Sequence, residues 1–252
     1  MAVIDVITYN GEKELFEIRY NILKDYVDEF IVVEFDKTFS GKPKEWQMIY
    51  DGVKPKVSWK GISEDVYSKY KELAENSPNT KGAENWKTEF MQKESIKDCL
   101  LHLKDDDLVF IGDCDEIWSP ETLNLTYSKL KLKVYTYYLN NKSSEVFWGT
   151  IVSHYRMIKD ECLNHLRTQM PTTLKDYGWH FTSMGGYKAV EKKLLDSYTE
   201  ESYANEVVMT YLGKNIQENK DFLGRPFTYK VDESEWPEWL KEHGQDYQYM
   251  LK

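Results

Sequence analysis

The sequence predicts an α/β fold, with a mostly parallel sheet that carries helices on both faces. Two stretches, FIVVEF (residues 30–35) and DLVFIGDC (107–114), are near-continuous apolar runs, as expected for strands buried on both faces. The pattern from residue 3 to residue 35 is strand, helix and strand, which is the size of a βαβ unit with parallel strands. Strands and helices alternate over residues 1–140, so a three-layer arrangement is predicted.

The first strand is predicted over VIDVITY (3–9), and an amphipathic helix follows it. Asn10 and Gly11 form a plausible turn or cap before that helix. The apolar positions of the helix recur at helical spacing and are Leu15, Ile18, Ile22 and Tyr26. A second long helix is predicted over residues 84–103.

A third helix is predicted to begin at Ser119 as the cap, with Pro120 in its first turn. VYTYYL (134–139) is predicted to be a strand, and residues 187–217 are predicted to be helical. The segment WPEWLKEHGQDYQYML is predicted to form a terminal helix. We expect one domain over residues 1–252, with residues 203–252 as a helical C-terminal part.

Composition restricts the class of partner. The net charge of −10 argues against a nucleic-acid partner, because phosphate backbones require a basic face. The three cysteines have no CxxC spacing, so neither a disulfide framework nor a zinc knuckle is predicted. No apolar run reaches about 18 residues, and we therefore expect no membrane span. These features together predict a cytoplasmic protein.

The sharpest local signal is LVFIGDCDEIW, in which a buried strand ends and is followed by Asp113 and Asp115. Ligands of open α/β sheets bind beyond the carboxyl ends of the strands, and a carboxylate pair there suits Mg²⁺ or Mn²⁺. The alternative is an ordinary acidic turn. A second Asp-x-Asp, at Asp105 and Asp107, precedes the strand and is interpreted as a solvated turn.

Basic residues on apolar helix faces are the second signal. Arg19 lies beside the apolar positions of the first helix, and Lys93 lies in line with those of the second. Each must find an anion or extend to solvent, so either a structural ion pair or a nucleotide contact is possible. The stretch YGWHFTSMGG (177–186) places His180 between two aromatic residues, in a region expected to be a loop beyond the strands.

Six stretches in consistent order, over roughly residues 4–201, resemble family 17 glycosyltransferases, whose animal member forms the bisecting N-acetylglucosamine branch. They are EIR (17–19), VE (33–34), TFSGKPK (38–44), QK (92–93), DCDEI (113–117) and GWHF (178–181). Lys93 stands where the family has an arginine, and Thr199 stands where the family has a histidine.

The resemblance implies an A-type glycosyltransferase fold, of the nucleotide-diphospho-sugar transferase type. It also implies an inverting, metal-dependent transfer of a sugar, N-acetylglucosamine or a related hexose, from a UDP-sugar to a glycan or other hydroxyl acceptor. The implied metal ligands, for Mn²⁺ or Mg²⁺, are Asp113, Asp115 and His180. The implied donor-binding residues are Arg19, Glu34, Lys42, Gln92, Lys93, Asp113 and Trp179.

A carboxylate must remove the proton of the acceptor hydroxyl. Glu201 and Glu200 are the predicted bases, and Glu116 is the alternative. Two other functions remain compatible with the sequence. A metal-dependent nucleotidyltransferase would use the same carboxylate pair and release pyrophosphate, whereas a non-catalytic sugar-binding module would bind sugars through its aromatic residues without a nucleotide.

Overall fold

A computed structural model describes residues 1–47, 54–78, 80, 86–197 and 203–252. Within these residues the strands form one sheet. They are β1 (Val3–Tyr9), β2 (Glu29–Phe35), β3 (Val57–Ile62), β4 (Leu108–Asp113), β5 (Glu116–Trp118), β6 (Tyr127–Thr136), β7 (Asn141–His154), β8 (Thr172–Thr182) and β9 (Tyr229–Val231).

The described α-helices are α1 (Lys13–Leu23), α2 (Glu64–Tyr67), α3 (Lys71–Asn76), α4 (Lys87–Ser95), α5 (Leu163–Gln169), α6 (Gly186–Ser197), α7 (Glu206–Gln217) and α8 (Glu238–His243). Short 3₁₀ helices span Ser68–Tyr70, Ile96–Cys99, Pro120–Asn124, Tyr155–Met157 and Gly244–Met250.

The order of the strands is β3-β2-β1-β4-β7-β6-β8-β5, and β9 pairs with β7. The first four strands are mutually parallel, as are β6 and β8. In contrast, β7 is antiparallel to β4 and β6, and β5 is antiparallel to β8. The predicted α/β fold is confirmed, and its parallel part carries the predicted βαβ unit β1-α1-β2.

Helices cover both faces of the parallel part, as predicted. Alternate residues of β1 point to opposite faces, so Ile7 joins one core and Val6 joins the other. The first core packs against α1 and α8, with Leu23 and Leu240 fully buried in it. The second core packs against the 3₁₀ helix that follows α4 and against α5, where Leu163 is buried.

Several element boundaries differ from the predicted ones. The predicted helix 84–103 is α4 followed by a 3₁₀ turn, and residues 84 and 85 lie outside the described part. The predicted third helix is a 3₁₀ helix, and Ser119 caps it by accepting a hydrogen bond from the Glu121 amide. Of the strand predicted at 134–139, only residues 134–136 are strand, at the end of β6, and earlier in β6 lysines alternate with buried residues. This alternation with a period of two indicates a strand, but the prediction followed the continuous apolar run at 134–139 instead.

The C-terminal part contains α7, α8 and the short strand β9. Helix α7 packs on α6 through a third core that includes Val190, Leu194 and Leu212. Trp236 donates a hydrogen bond from Nε1 to the Leu139 carbonyl at 2.8 Å, which fixes this part to the sheet. Among the described helices, none is long and apolar enough to cross a membrane.

Candidate active site

The carboxyl ends of β1 and β4 meet at one edge of the sheet, where a cavity of about 760 Å³ opens. Thr8 on β1 lies opposite Asp113 on β4 in the register. The chain then turns through Asp115 and returns as β5. Asp113, Asp115 and His180 all line this cavity, so the structure brings the three predicted metal ligands together.

Asp113 has a partner at each carboxylate oxygen. Its Oδ1 accepts a hydrogen bond from Thr8 Oγ1 at 2.8 Å, and its Oδ2 lies 3.1 Å from Arg167 Nη2 and 3.6 Å from Lys93 Nζ. Burial opposes ionisation, but Lys93 and Arg167 outweigh burial and hold the pKa of Asp113 far below its ordinary value. Asp113 is therefore an anion at neutral pH.

Asp115 is paired in the same way from the other side of the cavity. Its Oδ2 lies 2.9 Å from Lys193 Nζ and 3.5 Å from His180 Nε2. Burial again works against the charge, yet Lys193 and then His180 lower the pKa of Asp115 strongly. The turn therefore presents two ionised carboxylates to the cavity.

Arg19 lies beneath this turn rather than in the cavity. It is completely buried and binds Asp5 through Nε at 2.7 Å and through Nη2 at 2.6 Å. Its Nη1 donates to the carbonyls of Glu116 and Asp113, at 2.7 and 3.3 Å. The structure thus places Arg19 in a structural ion pair, the alternative to a nucleotide contact, and this pair holds the backbone of the turn between Asp113 and Glu116.

Glu116 is the first residue of β5, and its side chain is almost completely buried. Its carboxylate contacts Arg167 and accepts hydrogen bonds from the Asp113 amide at 3.3 Å and from Thr150 Oγ1 at 3.2 Å. Gly149 makes room for this carboxylate, because a Cβ there would lie 2.6 Å from Glu116 Cδ. Glu116 therefore anchors Arg167 in front of Asp113.

Of the predicted donor-binding residues, Lys93 and Gln92 line the cavity, whereas Glu34 and Lys42 do not. Glu34 is buried and accepts from Lys44 Nζ at 2.7 Å and from the Gln47 amide at 2.6 Å, so it organises the loop after β2. Lys42 donates from Nζ to the Leu195 carbonyl at 2.9 Å, near the end of α6.

The Gly-Trp-His stretch lies in β8, so its prediction as a loop beyond the strands is wrong. His180 pairs with Glu116 across the sheet, which sets its ring at the cavity wall, stacked 4.1 Å from the Phe147 ring. Trp179 points to the opposite face, where Nε1 donates to the Glu235 carbonyl at 2.6 Å. The alternation of a strand therefore separates Trp179 from the cavity.

Glu200 and Glu201, the predicted bases, lie outside the described residues. The second Asp-x-Asp is at the amino end of β4, as predicted. However, Asp107 is buried and accepts from the Ala2 amide at 2.7 Å, so only Asp105 is as solvated as the sequence suggested.

Several polar residues of the cavity escaped the sequence analysis, among them Arg167, Lys193 and Glu12. Arg167 follows the buried Leu163 by four residues in α5, which is the same signal that identified Lys93. Glu12 lies just after the carboxyl end of β1, and Asp113 lies at the carboxyl end of the neighbouring β4. Glu12 Oε2 accepts a hydrogen bond from the Asn10 amide at 2.6 Å. Burial, and more weakly the charge of Asp115, raises the pKa of Glu12.

The donor set fits a divalent cation. Two ionised carboxylates, one residue apart, face a cavity, and hard cations such as Mg²⁺ and Mn²⁺ bind through one or two carboxylates together with substrate phosphates. The imidazole of His180, whose Nε2 lies 3.5 Å from Asp115 Oδ2, is the neighbouring nitrogen that could complete such a site. Among the described residues, no group of three or more His, Cys, Asp or Glu side chains is arranged closely enough to hold a metal ion by itself.

A sheet that presents ionised carboxylates and basic side chains beyond the carboxyl ends of its parallel strands is the arrangement of an α/β enzyme with its site at the sheet edge. The family model described as Glycosyltransferase family 17 matches residues 1–201. The chain therefore belongs to this family and is a glycosyltransferase.

A solved structure, the 2-C-methyl-D-erythritol 4-phosphate cytidylyltransferase of Francisella tularensis, is similar with a TM-score of 0.34 and 10% identity, over 63% of this chain and 75% of that one. This likeness is too slight to add to the assignment. No curated protein matches the sequence.

Proposed function

We propose that the protein transfers a hexose, N-acetylglucosamine or a close relative, from a UDP-sugar to a hydroxyl of a glycan acceptor, with inversion and with Mn²⁺ or Mg²⁺. One observation carries this proposal: Asp113 and Asp115 share their cavity with Lys93, Arg167 and Lys193. An anionic pair for a cation, beside three basic groups for phosphate oxygens, suits a metal–diphosphate ligand. The arrangement is that expected of an A-type glycosyltransferase.

Asp113 and Asp115 would hold the cation, with His180 beside Asp115. The cation, when bound, would supply positive charge to the diphosphate leaving group as a Lewis acid. Lys93 and Gln92 reach the cavity from α4 and would contact the donor. The cavity volume of about 760 Å³ falls within the range of pockets that bind small organic ligands.

We propose Glu201 or Glu200 as the base, from the family resemblance. Glu116 is less suited, because its carboxylate is buried and engaged by Arg167 and Thr150. Glu12 is an additional carboxylate for this role, since it lines the cavity and its pKa is raised toward that of an effective base.

A ligand panel tests the proposal. The purified protein is heated with UDP-glucose, UDP-N-acetylglucosamine, GDP-mannose and UDP, each with Mn²⁺ or with EDTA. A true donor at about 100 times its dissociation constant adds roughly 2.7 kcal/mol to the free energy of unfolding, so its melting temperature should rise clearly. The rise should vanish in EDTA. If no nucleotide sugar stabilises the protein with Mn²⁺ present, the proposal is rejected.

A further inference from the structure

The carboxylates that would hold the cation are already neutralised by the protein's own basic groups. Asp113 Oδ2 lies 3.1 Å from Arg167 Nη2, and Asp115 Oδ2 lies 2.9 Å from Lys193 Nζ. A divalent cation placed on Asp113 would stand close to the Arg167 guanidinium, and like charges at that distance repel. Arg167 must therefore move away, or hold the cation off.

Arg167 has the means to serve a second partner. Its contacts with Asp113 and Glu116 both use Nη2, and within the described part of the chain Nη1 and Nε donate no hydrogen bond. The side chain lines the cavity and is 24% exposed. A guanidinium with free donors at a cavity wall is suited to the oxygens of a phosphate group.

Glu116 gives this side chain a fixed anchor. The Glu116 carboxylate is held by Thr150 and by the Asp113 amide, and it is enclosed by Gly112 and Gly149. Arg167 can therefore release Asp113 and still keep one buried anionic partner. If the Arg167 side chain rotates while it keeps its contact with Glu116, it can exchange Asp113 for another anion without leaving the guanidinium unpaired.

We infer that Arg167 serves two anions in turn: it neutralises Asp113 in the ion-free protein, and it binds a phosphate oxygen of the donor once a divalent cation takes Asp113. The inference rests on the proposed function, because it requires a nucleoside diphosphate and a cation in this cavity. Arg167 then weakens the binding of the cation when no nucleotide is present, but it strengthens the binding of the nucleotide once the cation is bound.

This double role gives Arg167→Met two effects of opposite sign. Without nucleotide, Mn²⁺ should bind the variant several-fold more tightly than the wild type, because a competing positive charge is gone. With Mn²⁺ present, UDP should bind about 10-fold or more weakly, as expected for loss of a hydrogen bond between charged groups. Binding of uridine, which has no phosphate, should not change.

The experiment measures free Mn²⁺ by electron paramagnetic resonance and UDP and uridine binding by calorimetry. The matched control is Arg156→Met, because Arg156 is an exposed arginine that pairs with Asp106 at the other end of β4. If Arg167→Met fails to fold because Glu116 loses its partner, the double variant Glu116→Gln/Arg167→Met removes both charges together and carries the same expectation.

The outcomes separate the two proposals. Wild-type protein that binds no UDP with Mn²⁺ would reject the proposed function and this inference with it. Wild-type protein that binds UDP, together with an Arg167→Met variant whose Mn²⁺ affinity is unchanged or weaker, would overturn the inference alone. If Arg167 contacts phosphate without competing with the cation, Arg167→Met should leave Mn²⁺ binding unchanged. If its role is purely structural, Arg167→Met should weaken the binding of both Mn²⁺ and UDP.

Discussion

At the residue scale, position on the sheet separates two similar carboxylate pairs. Asp113 ends β4, Asp115 follows it, and both face a cavity, whereas Asp105 and Asp107 precede β4. Asp105 pairs with Lys159 at the surface, and Asp107 holds the backbone of Ala2. Only the pair at the carboxyl end of the strand is placed for a ligand.

Asp113→Asn and Asp115→Asn should each reduce turnover by at least about 100-fold while the fold persists, because each removes one charge from the proposed cation site. UDP release with Mn²⁺ and a suitable acceptor measures the effect, and circular dichroism checks the fold. Asp105→Asn is the matched control and should retain normal turnover. Near-normal turnover of either Asp113→Asn or Asp115→Asn would contradict the metal assignment.

Arg19→Met should act on stability rather than on donor affinity. It removes the cationic partner of the buried Asp5 carboxylate, which costs roughly 3–5 kcal/mol. Urea denaturation measures this loss, and Lys159→Met, which breaks an exposed pair with Asp105, should leave the free energy of unfolding almost unchanged. A stable Arg19→Met protein with weakened UDP binding would show that the nucleotide contact was the correct interpretation after all.

At the element scale, the close approach of β4, β5 and β7 builds the wall behind the site. Gly112 on β4 and Gly149 on β7 leave the space that the Glu116 carboxylate fills. Helix α5 adds Arg167 from beyond β7, and α6 adds Lys193. The charges of the site therefore come from separate elements, and the spacing of the strands sets the distances between them.

Gly112→Ala should disturb this wall. A Cβ at residue 112 would lie 2.3 Å from Thr150 Oγ1 and 2.8 Å from Glu116 Oε2, so Thr150 or Glu116 must shift. We expect a loss of about 1–3 kcal/mol in the free energy of unfolding, with turnover also reduced.

Gly213→Ala in α7 is the control for the glycine substitution. Its Cβ would meet Tyr187 at an ordinary 3.5 Å, so alanine should be neutral or stabilise the helix by up to about 1 kcal/mol. Chemical denaturation compares the two variants. Equal stabilities for Gly112→Ala and Gly213→Ala would mean that the Glu116 enclosure is not tightly packed.

At the scale of the whole molecule, the part beyond the family match completes the core. The family match covers residues 1–201, yet Trp236, Leu240 and Tyr247 are buried against the face of the sheet that also carries α1. Met250 accepts a backbone hydrogen bond from Leu139 at 2.9 Å. The last helices therefore belong to the same packed layer as the βαβ unit.

Leu240→Ala should consequently destabilise the molecule by about 2–5 kcal/mol, as for other buried leucines. Val207→Ala is the control, because Val207 is 68% exposed and its loss should cost no more than about 0.5 kcal/mol. Thermal unfolding followed by far-ultraviolet circular dichroism, which reports the backbone of strands and helices, measures both. A Leu240→Ala protein as stable as the wild type would show that the C-terminal helices are dispensable for the core.

The sequence alone predicted the elements whose pattern is local. Neighbouring residues define the apolar runs of β1, β2 and β4 and the amphipathic pattern of α1. They also define the position of Asp113 and Asp115 at the end of a buried strand. Burial of these runs on both faces follows from their composition, and so the α/β class and the edge of the sheet that carries the site could be predicted.

The tertiary structure decided which charges meet. Arg19 on α1 pairs with Asp5 on β1, and both side chains are fully buried. Arg167 and Lys193 reached the carboxylates from residues 54 and 78 positions further along the chain, a separation that no local pattern encodes. Ion pairs depend on distances of a few ångströms, which only the packing of strands and helices fixes.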